Sequence, residues 1–271
     1  MLAKRVAVVA VALPIGLVLI YLGGWAFALL VALFVGLAAW EYVQIFIKGG
    51  YKPARILVPL GALLLVVGRV MDGFDSAPWM ITLLILILMG YHLVAYERGR
   101  DQSGTDFGIS LAGTFYMGWL GAYLISLRDL PEGLYWILLV LSAVWIADSG
   151  AYFIGRAFGK HKLSPRLSPK KTWEGYLGGV LTGTIGTALL ALLFMNLAGP
   201  DTTIALWKGA LLGLILSVLT TLGDLGESMF KRQVGVKDSS NLIPGHGGVF
   251  DRIDSWLWAV AIGYYVIVWI F

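Results

Sequence analysis

The residues best suited to chemistry lie in one stretch, Ser228 to Asp254, SMFKRQVGVKDSSNLIPGHGGVFDRID. Lys231, Arg232, Lys237 and Arg252 bring positive charge, with Asp238, Asp251 and Asp254 interleaved. Asn241, Pro244, Gly245, Gly247 and Gly248 break any helix between them. The pattern predicts a cationic turn with carboxylates at its far end, reached from one helix and left by another. Such a turn suits phosphate. Arg grips phosphate oxygens with a planar fork and Lys acts as a point charge. Glycines let backbone N–H groups approach an anion with no Cβ in the way. Carboxylates beside those cations would repel the same anion unless a divalent metal lay between, and Mg²⁺ is commonly held by one or two carboxylates plus substrate phosphates. The combination points to a metal–phosphate or metal–nucleotide site.

Further candidates lie outside this stretch. Asp148, in VWIADSGAYFIGR, is well inside an apolar run. An ionisable group at membrane depth is costly and normally faces the bundle interior. The alternative is a neutral aspartic acid that only packs helices. Ser149 and Tyr152 stand where they can support it. Asp224 lies in TLGDLGES. On a continuing helix, Asp224, Glu227, Ser228 and Lys231 share one face. A solvated polar face would explain Lys231 but explains Asp224 poorly, because its surroundings are apolar. Asp251 and Asp254 begin the last apolar run, where capping of a helix start competes with metal binding.

A second polar stretch runs from Gly155 to Gly175. A cytoplasmic loop touching anionic headgroups accounts for Lys160, Lys162 and Arg166. Ser168, Lys170, Lys171 and Thr172 precede a predicted helix start, a ready anion site, with Glu174 beside them. His246 reads as structural or phosphate-binding rather than as a general base, since a phosphate monoester is already ionised at neutral pH. His92 and His161 have no partner identifiable in the sequence, and Glu41, within an apolar run, has no assignable role.

The elements that must position these residues are membrane helices. Of the 271 residues, 59% are hydrophobic and 13% charged. Repeated long apolar runs predict an all-α, polytopic integral membrane protein. Their continuity argues against an alternating β-barrel. With no cysteine, disulfides and thiolate chemistry are excluded. About nine transmembrane helices are expected, at roughly 4–21, 25–47, 54–71, 78–96, 107–127, 134–156, 173–198, 204–232 and 250–271. With the N-terminus in the cytoplasm, all of the 20 lysines and arginines except Arg69, Arg128 and Lys208 fall on the cytoplasmic side. That division puts both polar loops, 155–175 and 228–254, on the cytoplasmic face. We expect one transmembrane domain over 1–271, with N-terminal helices to 130 and catalytic helices over 131–271. Gly175, Gly179 and Gly183, and then Gly209, Gly213, Ser217 and Thr221, recur every fourth residue, which predicts close helix packing in lipid.

Ser228, Lys231–Arg232, Lys237–Asp238, Ile243–Pro244, His246–Gly247–Gly248 and Asp251–Arg252–Ile253–Asp254 resemble the signature of the phosphatidate cytidylyltransferases. The likeness extends upstream over Asp148 to Gly175, through DxxAYxxG and SPKKTWEG. It implies transfer of CMP from CTP to phosphatidic acid with release of pyrophosphate, at a site facing the cytoplasm (of the inner membrane in a bacterium). Read together, residues and resemblance assign Asp148, Asp224, Asp251 and Lys231 to catalysis, the three aspartates as metal ligands. Ser168, Lys170, Lys171, Thr172, Ser228, Arg232, Lys237, Asp238, His246, Gly247, Gly248 and Arg252 are assigned to substrate. The expected cofactor is Mg²⁺, with a second cation left open. The expected partners are CTP, phosphatidic acid and membrane lipids, with a homodimer left open and nucleic acid not expected. A different lipid phosphotransferase or lipid kinase is the alternative enzyme, and a transporter for an anionic substrate the alternative outside catalysis.

Overall fold

In hydrocarbon every backbone N–H and C=O must be satisfied within its own segment, so apolar runs of this length fold as helices. The computed structural model describes residues 2–240, 242 and 247–271, with side chains from residue 10 onward. Eleven α-helices follow in order: α1 Leu2–Leu22, α2 Gly24–Lys48, α3 Leu57–Asp72, α4 Ala77–Glu97, α5 Ser103–Gly113, α6 Leu120–Arg128, α7 Gly133–Phe158, α8 Trp173–Ala198, α9 Leu206–Leu219, α10 Thr221–Gln233 and α11 Phe250–Ile270. A π-helical turn, Thr114–Trp119, joins α5 to α6. Two short antiparallel strands, β1 Lys162–Ser164 and β2 Ser168–Thr172, form a hairpin.

Among the described residues, seven helical segments are long and apolar enough to cross a membrane: α2, α4, α5–α6 as one segment, α7, α8, α9–α10 as one segment, and α11. They match seven of the nine expected runs to within a few residues. The other two expected runs are also helical. The described apolar part of α1 is Ala10–Leu22. α3 has 16 residues, about 24 Å of helix against a hydrocarbon core of about 30 Å. The 204–232 run is not one regular helix. It is interrupted at Thr220, between α9 and α10, where the Thr220 N–H and Oγ1 both donate to the Leu216 carbonyl, at 2.9 and 2.8 Å.

The chain divides into two compact units, Met1–Ser126 with Phe230–Ile253, and Leu127–Met229 with Asp254–Phe271. The segment Phe230–Ile253 therefore groups with the N-terminal helices, not with the rest of 131–271.

In the first unit α2 is the spine. Val35, Ala38, Ala39 and Val43 are fully buried along it. Tyr42 and Phe46 contact Phe230 at ring-centroid distances of 5.4 and 5.8 Å, and Tyr42 contacts Phe250 at 6.4 Å. Aromatic contacts thereby fasten both ends of the 230–253 segment. Arg69 is buried in α3, stacked 3.6 Å over Phe74, and its Nη1 donates to Ser126 Oγ at 2.6 Å.

In the second unit the glycine rows pack as their spacing predicts. A Cβ on Gly179 would stand 2.8 Å from the Ala147 carbonyl oxygen, and one on Gly213 would stand 2.7 Å from that of Gly183. Gly183 itself lies against Ser217 and Ala147. On the other side of α8, Leu177, Leu181, Ile185, Leu189, Leu193 and Leu197 are exposed. One helix therefore presents a small-residue face to its neighbours and a leucine-rich face suited to lipid.

Candidate active site

α10 carries Asp224 and Glu227 three residues apart, so their side chains emerge from one face. Gly223 decides what meets them. A Cβ there would lie 2.7 Å from the Asp254 carbonyl oxygen and 3.1 Å from Ser255 Cα. Its absence lets the backbone at the start of α11 come against α10 and brings in Asp254. One carboxylate oxygen from each of Asp224, Glu227 and Asp254 lies within 4.8 Å of the others. Glu227 and Asp254 are only 2% and 8% exposed. Asp224 is half-buried, and its Oδ2 pairs with Lys171 Nζ at 2.6 Å. Ser228 Oγ reaches Asp224 Oδ1 at 3.4 Å. The charges of Asp224, Asp148 and Lys171 all act on the Asp254 carboxyl. Asp148 itself, on α7, is exposed.

Among the described residues the donor set is all carboxylate oxygen, the hard chemistry that Mg²⁺ takes. Three carboxylates this close repel one another in a poorly solvated site, and Lys171 offsets part of that charge. The residues therefore fit a small divalent cation.

The hairpin that delivers Lys171 is built locally. Lys162 pairs with Thr172 and Ser164 with Ser168. Thr172 caps α8, its Oγ1 accepting from Gly175 N at 3.2 Å. Glu174 closes the base of the hairpin. It accepts from Lys160 N at 3.0 Å and His161 N at 3.2 Å, and it meets His161 Nδ1 at 2.6 Å. His161 thus has a partner that its sequence context did not show. Lys170 is exposed and Ser168 half-buried.

In the other unit, Asp251 organises the glycine-rich turn. Its Oδ1 accepts from Lys231 Nζ at 2.6 Å. Its Oδ2 accepts from Ser239 Oγ and Gly248 N, both at 2.8 Å, and from Ser239 N at 3.1 Å. Gly247 has a positive φ of 82°, and a Cβ there would sit 2.7 Å from Asp251 Oδ2. At Gly248 a Cβ would collide with Ser239 Oγ and with the Glu41 carboxylate. The paired glycines are therefore demanded by two carboxylates that close around them. Arg232 donates to the Val236 carbonyl at 3.0 Å. Lys237, Asp238 and Arg252 are exposed. His246, with Ile243 and Pro244 of the signature, lies outside the described residues.

Sequence reasoning assigned neither Glu227 nor Asp254 to the metal. Glu227 carried a usable signal, an acid one turn from Asp224 in apolar company. Ser239 had none.

The apolar helices, with acidic and basic side chains inside or at the ends of their spans, define a class: a polytopic integral membrane protein equipped to handle charged ligands. The chain belongs to the cytidylyltransferase family, whose sequence profile matches residues 3–271. It is thereby an enzyme of the nucleotidyltransferase class. It is 34% identical over 296 residues to the phosphatidate cytidylyltransferase of a Synechocystis species, covering 97% of this chain and 94% of that one. Its identity to the Pseudomonas aeruginosa protein of the same name is 40% over 265 residues, 94% of this chain and 93% of the relative. With the Haemophilus influenzae phosphatidate cytidylyltransferase it shares 53% over 132 residues, 47% and 44% of the two chains.

Proposed function

We propose that this enzyme transfers CMP from CTP to phosphatidic acid, giving CDP-diacylglycerol and pyrophosphate. One observation carries the reading. Three carboxylates and a lysine gather in a chain that matches the cytidylyltransferase family from residue 3 to residue 271. The names of the relatives supply the lipid acceptor.

An oxygen of the lipid phosphate attacks the α-phosphorus of CTP. The new P–O bond forms as the bond from the α-phosphorus to the bridging oxygen breaks, and pyrophosphate leaves in line. Asp224, Glu227 and Asp254 would hold Mg²⁺, which when bound offsets polyphosphate charge and helps to align the reactants. Asp148 is next in line, as a ligand to that ion or to a second cation. Lys171 is paired with Asp224 and gives its positive charge to phosphate oxygens when the acids are otherwise neutralised. Lys170, Ser168 and Thr172 complete that anion-binding edge at the start of α8. On the glycine-rich turn, Lys231 holds a phosphate oxygen and Asp251 fixes the direction of its ammonium group. Ligation by Asp251 itself is distinguishable by substitution, as described below. Arg232, Lys237 and Arg252 add positive charge on the same segment, with Asp238 beside Lys237, and Ser228 is a polar contact for substrate next to Asp224. The N-terminus and both polar loops face the cytoplasm in this reading, so CTP arrives from water and the lipid enters sideways from the bilayer.

The test is pyrophosphate release by the purified protein, with each of the four nucleoside triphosphates, with and without phosphatidic acid. Release only with CTP and only with the lipid is expected. Equal release with all four nucleotides, or release indifferent to the lipid, would overturn the reading.

A further inference from the structure

Glu41 lies in the middle of α2 and is 3% exposed, between the fully buried Ala39 and the buried Tyr42 and Val43. A carboxylate in such surroundings persists only if hydrogen bonds replace its water. The structure supplies them from one place. Glu41 Oε1 accepts from Ser240 Oγ at 2.6 Å and from Val249 N at 3.0 Å. Oε2 accepts from Phe250 N at 2.8 Å and lies 3.1 Å from Ser239 Oγ. Val249 and Phe250 open α11, so a residue about 200 positions upstream supplies the anion that a helix start favours.

The same contacts lead onward. Ser239 has a single O–H hydrogen and two carboxylates to serve, Glu41 at 3.1 Å and Asp251 at 2.8 Å. Asp251 in turn holds Lys231 at 2.6 Å. Gly248 is pressed between Ser239 and Glu41, where any side chain would collide. The bonds thus run from Glu41 through Ser239 to Asp251 and Lys231, all within one compact unit.

We infer that Glu41 is a positioning residue for the glycine-rich turn. It ties Ser239, Ser240 and the first turn of α11 to α2, and it sets Asp251 and hence Lys231 in the orientation that turnover requires. This rests on the proposal that Lys231 contacts substrate phosphate. Glu41 touches no substrate itself. Its carboxylate must be acceptor on both oxygens, because both face backbone N–H groups that cannot turn away. Glutamine fits the space but points an NH₂ group at one of those N–H groups.

The experiment compares parent and Glu41→Gln by two readouts. Hydrogen exchange of peptides covering 239–240 and 247–253 should rise at least tenfold in the variant, while peptides of α8 exchange as in the parent. The kcat for CTP- and phosphatidate-dependent pyrophosphate release should fall about 10- to 100-fold, since small misplacements of a positioned group cost that much. The KM for CTP should stay within about threefold, because the outer cations of the turn remain. Combining Glu41→Gln with Ser239→Ala should cost little more than the larger single change, since both act through Asp251. A parent without lipid-dependent turnover would refute the proposed function and leave the exchange result to decide the anchor. Unchanged exchange over 239–240 and 247–253 in Glu41→Gln, or fully additive kinetic losses, would overturn the anchor. Should Glu41→Gln not yield folded protein, Ser240→Ala removes one donor and keeps the carboxylate. Faster exchange over 239–240 and 247–253 is then the supporting outcome, and parental exchange with parental kcat the contrary one.

Discussion

Asp224 and Asp251 are alike in chemistry and different in company. Asp224 sits with Glu227 and Asp254 and meets Lys171, whereas Asp251 spends both oxygens on Lys231, Ser239 and Gly248. Asn keeps the size and one acceptor of Asp but removes its charge. Asp224→Asn and Asp254→Asn should therefore fold and lose turnover by about 100-fold or more, with a raised Mg²⁺ requirement. A Mg²⁺ titration of kcat at saturating CTP checks this; a variant at parental rate and parental Mg²⁺ dependence would remove that residue from the ligand set. Asp251→Asn is a different test. Its side chain and that of Lys231 are 8% and 10% exposed, and breaking such a pair costs about 3–5 kcal/mol when one charge loses its partner. A lowered Tm with an unshifted Mg²⁺ dependence is expected if Asp251 orients Lys231. A shifted Mg²⁺ dependence would restore Asp251 to the metal. At this scale the sequence revealed residue types better than pairings. Asp148 and Asp224 stood out because acids in apolar runs are costly, and Asp251 through the HGG before it and the family resemblance. Asp254 could be read as a cap until Gly223 was seen to admit its helix. The partners of Glu41 were invisible because Ser239 lies 198 residues away.

At the scale of elements, spacing was legible wherever a helix packs through its own repeat. Gly175, Gly179 and Gly183 recur every fourth residue and do face close neighbours, the Ala151 and Ala147 carbonyls for the first two and the Ser217 side chain for the third. Gly179→Leu should lower Tm and activity together, because the Ala147 carbonyl cannot retreat from a branched side chain. Parental melting in detergent would show that the row is not a packing face. Features held by single local bonds were not legible. The interruption at Thr220 and the clamp of Glu174 on the backbone of Lys160 and His161 rest on local contacts that no repeat in the sequence announces. One such clamp makes a pH prediction. Glu132, at φ 56°, precedes α7 and accepts from Thr202 Oγ1, Thr203 Oγ1 and Thr203 N. Burial pushes its carboxyl up, but those hydrogen bonds and the charge of Lys208 outweigh it and hold the pKa below the ordinary value. A depressed folded pKa stabilises above the unfolded pKa, and that contribution is lost as pH falls through the folded value. The Tm advantage of the parent over Glu132→Gln should therefore be full at neutral pH and shrink below about pH 4. Superimposable curves across the range would contradict the assignment.

At the scale of the molecule, composition was decisive for class and weaker for count. Seven expected runs are helices long and apolar enough to cross a membrane, whereas the helix in 54–71 has 16 residues and that in 4–21 is described in full only from Ala10 to Leu22. Charge placement makes the topology testable in a chain without cysteine. Arg166 and Asp201 are exposed. A cysteine replacing Arg166 should react with an impermeant thiol reagent from the cytoplasmic side only, and one replacing Asp201 from the opposite side only. Labelling of both from one side would rule out nine spans with a cytoplasmic N-terminus. The reaction itself is tested most directly by following phosphorus. Purified protein is given phosphatidic acid, Mg²⁺ and CTP labelled at either the α- or the γ-phosphorus, and the extracted lipid is counted. Attack at the α-phosphorus predicts label in the lipid from α-labelled CTP only, with γ label recovered entirely in pyrophosphate. Transfer of γ label to the lipid would mark a lipid kinase and contradict the account.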